Sequence, residues 1–412
     1  MNRPKLRVMQ VISNLDVGGG QEVVRTLTEN LAEAGCIPVV CTFKDGPLRE
    51  PIERLGIPVE IIPERRASIF VFPVFLLEIL RIRRALASLV KKYEIDVIQT
   101  HLLRSLDFLV LSLRFGTNLL VFWTVHNVRF DIREDHLSRN KWSLKPKRIG
   151  YRWMYRLGAR WTDGFIAVSE DVKTAIQEYV GGIPDHKITV ISNCVDLKRY
   201  QRSVDRASIR RQIGLAKDDR VCAMVATFKK QKGHSVLIEA VFPVVLQFPE
   251  LHILLIGDGE SREALLAQTK ALGLERHIHF LGFRQDVSDL LAASDFFLLP
   301  SLWDGLSMAL VEAMASGLAV IATEVSGAKQ VVVSGETGLL IPPGDARQLT
   351  EAMIQLLSNP EKARSMGMAG KHRVEKYFSA HKQANDHIAL FTRELSRTNW
   401  QPVPSSGRST RE

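Results

Sequence analysis

Short apolar runs rich in Val and Ile alternate with helix-length amphipathic stretches along most of the chain. Strands buried on both faces read as continuous hydrophobic runs, and crossover helices carry the polar positions, so the alternation predicts βαβ units and parallel sheets. In the first half the expected strands are Leu6–Ser13, Ile37–Phe43, Val59–Pro63, Asp96–His101, Leu119–Asn127, Gly164–Ser169 and Ile188–Asn193. The second half has its own series at Val221–Phe228, Leu251–Gly257, Ile278–Gly282, Asp295–Ser301, Ala319–Thr323 and Leu339–Pro342. Between them Asp196–Asp219 is polar and strandless, the expected linker. The fold class is therefore α/β, with two doubly wound Rossmann-like domains at 1–195 and 220–375. Their ligand loops, at the carboxyl ends of the strands, are expected to face a common cleft. A helix at 376–400 is expected to pack back on the first domain, and the Ser/Arg-rich 401–412 reads as a flexible tail.

A length of 412 residues suits two domains with ample cores. Hydrophobic residues at 46% and charged residues at 24% exclude a largely disordered or fibrous chain. Cys36, Cys41, Cys194 and Cys222 form no zinc-like spacing and read as buried thiols in a reducing compartment. Arg3, Lys5 and Arg7 lead directly into the first strand, so no secretory leader is expected.

The formal charge of +10 is uneven: residues 1–200 hold 30 basic and 22 acidic groups, the remainder 25 and 23. An anionic partner suits that excess, although a solvated surface also accounts for it. Ile69–Leu77 is apolar, but Glu78, Arg81, Arg83 and Arg84 end it well short of the roughly 20 residues that span a bilayer. It runs on as a basic amphipathic helix to Lys92. Lys141–Arg160 holds seven Lys/Arg, together with Trp142, Tyr151, Trp153 and Tyr155, and no acid. These stretches are either helices packed on their sheet with solvated lysines or a face for anionic lipid headgroups. No nucleic-acid recognition motif is present, and nucleic acid is not an expected partner.

Three segments carry candidate chemistry. Gly18-Gly19-Gly20-Gln21-Glu22 follows the first strand and opens a helix, where backbone amides can approach an anion or glycines can simply permit tight packing. It has neither the dinucleotide fingerprint nor the P-loop lysine. Val225-Ala226-Thr227-Phe228-Lys229-Lys230-Gln231-Lys232-Gly233 closes the first strand of the second half and precedes a helix; its lysines can pair with a diphosphate or simply form a solvated loop. Most informative is Pro300–Gly317: a strand ends, Asp304 sits on a loop, Gly305, Leu306 and Ser307 can present successive amides, and Glu312 follows eight positions after Asp304 inside an apolar helical run. Such an acid is costly to bury without a partner. Phosphate on the amides, ribose hydroxyls on Glu312 and a sugar hydroxyl on Asp304 would hold one ligand at several points.

Taken together these motifs resemble the retaining GT-B glycosyltransferases of family 4 (glycosyl transferases group 1). The resemblance runs through Gly19–Glu22, Thr124-Val125-His126-Asn127, Ile191–Asp196, Lys232-Gly233, Gly257-Asp258-Gly259, Leu281-Gly282 and the acid-x7-acid segment. It implies that Lys232 contacts the donor diphosphate, Glu312 the ribose, Asp304 the donor sugar and Gly305 to Ser307 the phosphate, while His126 lies beside the transferred sugar. Gly19, Gly20, Thr227, Lys229, Lys230, Leu281 and Gly282 join the donor side, and His101 and Arg104 the acceptor side. Two positions depart from the family pattern: Thr227 stands where Arg is common, and Asp304 where Glu is usual.

The implied reaction moves a sugar from a UDP- or GDP-sugar to a lipid-linked or cell-envelope glycan acceptor with retention, the leaving phosphate assisting deprotonation of the acceptor. No cofactor and no metal is expected, since the chain contains no Asp-x-Asp. The expected location is the cytoplasm, peripherally on the inner face of a membrane. A GT-B-like nucleotide-sugar epimerase and a catalytically reduced nucleotide-sugar-binding protein are the alternative readings.

Overall fold

The computed structural model describes residues 5–16, 18–63, 72–101, 105–126, 144–202 and 204–397. Arg104, Asn127 and Trp142 lie outside them. The chain divides into two compact units, 1–192 with 380–412, and 193–379.

In the first unit seven parallel strands are ordered β3-β2-β1-β4-β5-β6-β7: β1 Arg7–Ile12, β2 Ile37–Thr42, β3 Val59–Ile61, β4 Val97–His101, β5 Leu120–Val125, β6 Gly164–Ala167 and β7 Ile188–Val190. The second unit holds six, ordered β10-β9-β8-β11-β12-β13: β8 Arg220–Val225, β9 Leu251–Ile256, β10 Ile278–Gly282, β11 Phe296–Leu299, β12 Ala319–Thr323 and β13 Gly338–Ile341. Each of the thirteen falls on an apolar run expected from the sequence. Both sheets are doubly wound: strand order reverses between β1 and β4 and between β8 and β11. Crossovers leave opposite faces at those points and open a crevice at the carboxyl ends.

Side-chain alternation along the strands fills both faces of each sheet. In the first, Met9, Ile98, Val121, Trp123 and Phe165 point to one core. Val8, Val97, Leu120, Phe122 and Ile166 point to the other, which is closed by Leu27 and Leu31 of the helix Gly19–Glu33 and by Ala384, Leu390, Phe391 and Leu395 of the last helix, Ala380–Arg397. Phe391 is fully buried with its ring 5.2 Å from Phe122. Burial of such a side chain contributes about 1.5–3 kcal/mol, which helps explain why this late segment completes the first sheet rather than trailing from the second unit.

Asp196–Asp219 is built into the second unit through two short helices, Leu197–Tyr200 and Arg206–Gln212. Arg210, 5% exposed, reaches both carboxylate oxygens of Asp295 at 3.1 Å and donates to the carbonyls of Ala293, Lys217 and Asp219. A charge buried that deeply needs every donor satisfied, and here the main chain supplies most of the acceptors. The four cysteines are buried free thiols, and burial pushes Cys36 up to about 11 and Cys41 to about 12.

Candidate active site

In the second unit, β8 and β11 lie side by side at the reversal point, with Phe296 opposite Cys222 and Phe297 opposite Ala223. The loop after each runs into the other. Lys230–Lys232 makes one 3-10 turn that ends on Gly233 at φ +71°, a conformation that favours glycine. A Cβ there would sit 1.9 Å from the Pro300 carbonyl oxygen, so only glycine lets the two loops touch through their backbones. The Leu302 amide then donates to the Gln231 carbonyl at 2.8 Å.

That contact brings Lys232 and Asp304 together. Lys232 Nζ is 2.5 Å from Asp304 Oδ2, and the two side chains are 17% and 12% exposed. Gln231 Nε2 donates to Asp304 Oδ1 at 3.3 Å, while Ser301 Oγ lies 3.5 Å from Oδ2. Thr227, Lys229 and Lys230 are exposed on the same loop. Beyond Asp304, Gly305 and Leu306 are buried and Ser307 caps the helix Met308–Ala315 without donating or accepting a side-chain cap hydrogen bond. The segment is backed closely: a Cβ on Gly327 would meet the Gly305 carbonyl oxygen at 2.3 Å. The first amides of the helix, with the positive end of its dipole, therefore sit beside the Lys232–Asp304 pair. Glu312 is half-buried in the second turn, flanked by fully buried Val311 and Ala313. Leu281 and Gly282 end β10, two strands from β8, where the Gly257 amide donates to the Gly282 carbonyl at 2.9 Å.

Two residues at this end were not singled out from the sequence. Gln231 is one, holding Asp304 from the side away from Lys232. His234 is the other: it opens the helix His234–Val245, is 2% exposed, stacks edge-on against Phe228 at 4.8 Å, and has no hydrogen-bond partner on either ring nitrogen among the described residues. Burial, with Lys232 nearby, lowers its pKa to about 4 and keeps it neutral.

In the first unit the glycine turn opens the helix Gly19–Glu33 from an extended Gly18. Asn14 Oδ1 closes the turn by accepting from Gln21 Nε2 at 2.8 Å and from the Asp16 amide at 3.1 Å. Glu22 pairs with Arg25 at 2.7 Å along the helix. Gly19 and Gly20 thus stand at the carboxyl end of β1, whose last residue, Ile12, is in register with His101 of β4.

His101 and His126 are in contact, Nδ1 to Nε2 at 3.0 Å. His101 is completely buried, its Nε2 2.6 Å from Gln10 Oε1. Expected on the acceptor side, it has no exposed surface of its own and is in contact with His126. Burial lowers both, His126 to about 4, with the neighbouring histidines adding repulsion.

On the surface of this unit, the helix Leu144–Trp161 exposes Ile149, Trp153, Met154, Leu157 and Trp161, with Trp153 66% exposed. At 100° per residue these form one stripe, with Arg152, Arg156 and Arg160 along its edge. The other basic helix, Phe72–Tyr93, is partly neutralised within the fold: Arg81 pairs with Glu78, and Lys92 with Glu60 at 2.6 Å. Among the described residues no helix is long and apolar enough to cross a membrane, and no group of three or more His, Cys, Asp or Glu is arranged to hold a metal ion.

Residues 17–199 match the model "Glycosyltransferase Family 4", and residues 205–373 match "Glycosyl transferases group 1". The chain is 25% identical to N-acetyl-alpha-D-glucosaminyl L-malate synthase of Bacillus anthracis, over 79% of this chain and 81% of that one. It is 28% identical to the UDP-Gal:alpha-D-GlcNAc-diphosphoundecaprenol alpha-1,3-galactosyltransferase of Escherichia coli, over 66% and 69%. Anabaena HepE, crystallised with UDP and glucose, superposes with a TM-score of 0.79 at 22% identity, covering 94% of this chain and all of that one. Two doubly wound units with the two matched models end to end make this chain a GT-B glycosyltransferase of family 4.

Proposed function

We propose that the protein transfers a sugar, with retention, from a UDP- or GDP-sugar to a lipid-linked or cell-envelope glycan acceptor, without a metal ion. The observation that carries this reading is the meeting of the β8 and β11 loops: a lysine and a carboxylate, both mostly withdrawn from water, stand at the amide end of a helix that carries a second acid. Preorganised positive charge aimed at a leaving diphosphate is usually the largest catalytic contribution to such a transfer. In this reading Lys232, exposed Lys229 or Lys230 and the Gly305–Ser307 amides receive the diphosphate. Glu312 accepts from the ribose, Asp304 from the donor sugar, and His126 hydrogen-bonds that sugar. The bond from the anomeric carbon to the diphosphate breaks, a bond to the acceptor hydroxyl forms, and the hydroxyl proton passes to the departing phosphate.

The acceptor side of the proposal rests on the apolar and arginine-edged stripe of the helix Leu144–Trp161, a surface suited to anionic headgroups. A relative whose name carries a diphosphoundecaprenol acceptor supports it; one that makes a malate glycoside supports a small soluble acceptor instead. The deciding experiment is a thermal-shift panel of nucleoside diphosphates and nucleotide-sugars, followed by nucleotide release with polyprenyl-diphosphate sugars or hydroxy acids as acceptors. A ligand at 100 times its Kd stabilises by about 2.7 kcal/mol. Stabilisation by no nucleotide would refute the donor assignment, and release with hydroxy acids alone would refute the lipid-linked one.

A further inference from the structure

A continuous line of buried polar side chains runs through the first unit, from the last helix to His126. His387 Nδ1 lies 2.8 Å from the Gln383 carbonyl oxygen, and its Nε2 lies 3.1 Å from Gln99 Nε2. Gln99 Nε2 also meets Thr124 Oγ1 at 2.7 Å, and Gln99 Oε1 accepts from Gln10 Nε2 at 3.1 Å. Gln10 Oε1 meets His101 Nε2 at 2.6 Å, and His101 Nδ1 meets His126 Nε2 at 3.0 Å. Gln10, Gln99, His101 and His387 are at most 1% exposed. Isolated polar groups in strand interiors would be expensive; linked in this way each finds a partner.

The line has a direction because one end cannot reverse. A backbone carbonyl only accepts, so His387 carries its proton on Nδ1 and leaves Nε2 bare. Gln99 must then turn its amide nitrogen toward His387, which aims its oxygen at Gln10. Gln10 in turn offers its oxygen to His101, which holds its proton on Nε2 and leaves Nδ1 bare. His126 therefore donates from Nε2. Its own Nδ1 is left without a proton, buried, and without a hydrogen-bond partner among the described residues.

We propose that Gln10, Gln99, His101 and His387 are positioning residues, a relay of five hydrogen bonds through which the Gln383 carbonyl fixes His126 as an acceptor for a ligand hydroxyl. The proposal rests on the reading of His126 as a contact to the transferred sugar. Burial keeps all three histidines neutral near pH 7, as the relay requires. It also gives the last helix a part in the site beyond covering the sheet: its His387 sets the polarity of the line from the end opposite His126.

Long-range 1H–15N spectra of the full chain with ring-labelled histidine separate protonated from bare ring nitrogens, with single histidine substitutions assigning the signals. The expected result is a proton on Nδ1 of His387 and on Nε2 of His101 and His126. A proton on His126 Nδ1 in the folded wild type would overturn the proposal. Replacing His387 with Met removes the lock, so His126 should show both tautomers although nothing near it has changed; a single unchanged tautomer would also overturn it. For function, His101→Leu should lower kcat/KM for the nucleotide-sugar about 5- to 10-fold while leaving nucleoside-diphosphate affinity unchanged. His101→Asn, whose Oδ1 can take the place of Nδ1 and accept from His126, should recover part of that loss. Equal damage from Leu and Asn would reduce the relay to packing. If the wild type binds no nucleotide-sugar, the sugar contact falls with the proposed function, whereas the tautomers remain measurable and test the relay separately.

Discussion

Removing the charge of Asp304 and removing that of Lys232 should move nucleotide affinity in opposite directions. Lys232 Nζ is held 2.5 Å from Asp304 Oδ2, with both side chains less than one-fifth exposed. A diphosphate that takes Lys232 must share or displace that carboxylate and meets its negative charge. Lys232→Ala deletes a charge-assisted contact of about 1.5–3 kcal/mol, a loss of roughly 10- to 150-fold in diphosphate affinity. It also leaves Asp304 with Gln231 and Ser301 at 3.3 and 3.5 Å, too long to replace an ion pair. Asp304→Asn keeps the shape, frees the lysine and removes the like charge. Bare UDP or GDP should therefore bind that variant as well as or better than the wild type, while turnover of the intact nucleotide-sugar falls because a sugar hydroxyl has lost its charged acceptor. Calorimetry with the bare nucleotide and with the nucleotide-sugar separates the two effects. In the double variant a coupling of about 0.5–3 kcal/mol is expected for groups in direct contact. Tenfold weaker binding of bare nucleotide to Asp304→Asn would refute the reasoning, since it would mean that the carboxylate serves the diphosphate site by orienting Lys232 rather than competing for it.

Because His126, His234 and His387 are each held near 4 in the fold against an ordinary 6.5, the unfolded chain takes up their protons first as pH falls. Their contribution to stability is complete above about pH 6.5 and is lost between there and 4, at up to about 1.4 kcal/mol per pH unit for each; urea unfolding at pH 7.5 and 5.0 checks this, and equal stabilities would contradict it. If exposed Lys229 or Lys230 has taken over the charge absent at Thr227, deleting the right lysine should be as damaging as deleting Lys232, while Thr227→Arg should be neutral or modestly activating. Abolished donor binding in Thr227→Arg with both lysines dispensable would show that the loop is misread. Transfer should survive excess EDTA, and activity lost to chelation and restored by magnesium or manganese would contradict metal independence. Sedimentation with anionic liposomes should exceed that with neutral ones, weaken with salt, and drop in Trp153→Ser with Leu157→Ser; indifference to lipid charge at low salt would leave the stripe without a membrane role.

The strands and the residues of the proposed nucleotide side, Lys232 and Asp304, are legible in the chain because their signals are local. A strand such as Leu251–Ile256 declares itself by a short run rich in Leu and Ile, the pattern of a strand covered on both faces. Lys232 and Asp304 are each marked by a strand end and a neighbouring glycine, although 72 residues apart. What joins them is long-range. Gln231 shows no pattern of its own, and its role depends on the backbone contact that Gly233 permits. The segment Asp196–Asp219 misleads for the opposite reason: its polarity suggests a free linker, but Arg210 is buried against Asp295 and main-chain carbonyls that no local window contains.

The histidine relay marks the limit more sharply. Gln10 is visible as a polar residue within the apolar run Val8–Ile12, Gln99 follows Val97 and Ile98 in the strand Val97–His101, and the register of the two strands sets the glutamines opposite one another. A sequence reading could therefore have paired them as a buried amide couple. His387 shows no such signal, because its helix looks like any amphipathic C-terminal helix until Phe391 docks against Phe122. The direction of the hydrogen bonds, and with it the acceptor face of His126, is set by the main-chain carbonyl of Gln383, 257 residues along the chain from His126, through the helical turn that presents it to His387. Side-chain identity alone would allow the line to run either way; the backbone of the last helix makes one way far more favourable. Chemistry at His126 is thereby tied to correct docking of that helix, so a substitution that loosens Phe391 should disturb His126 tautomers before it unfolds the sheet.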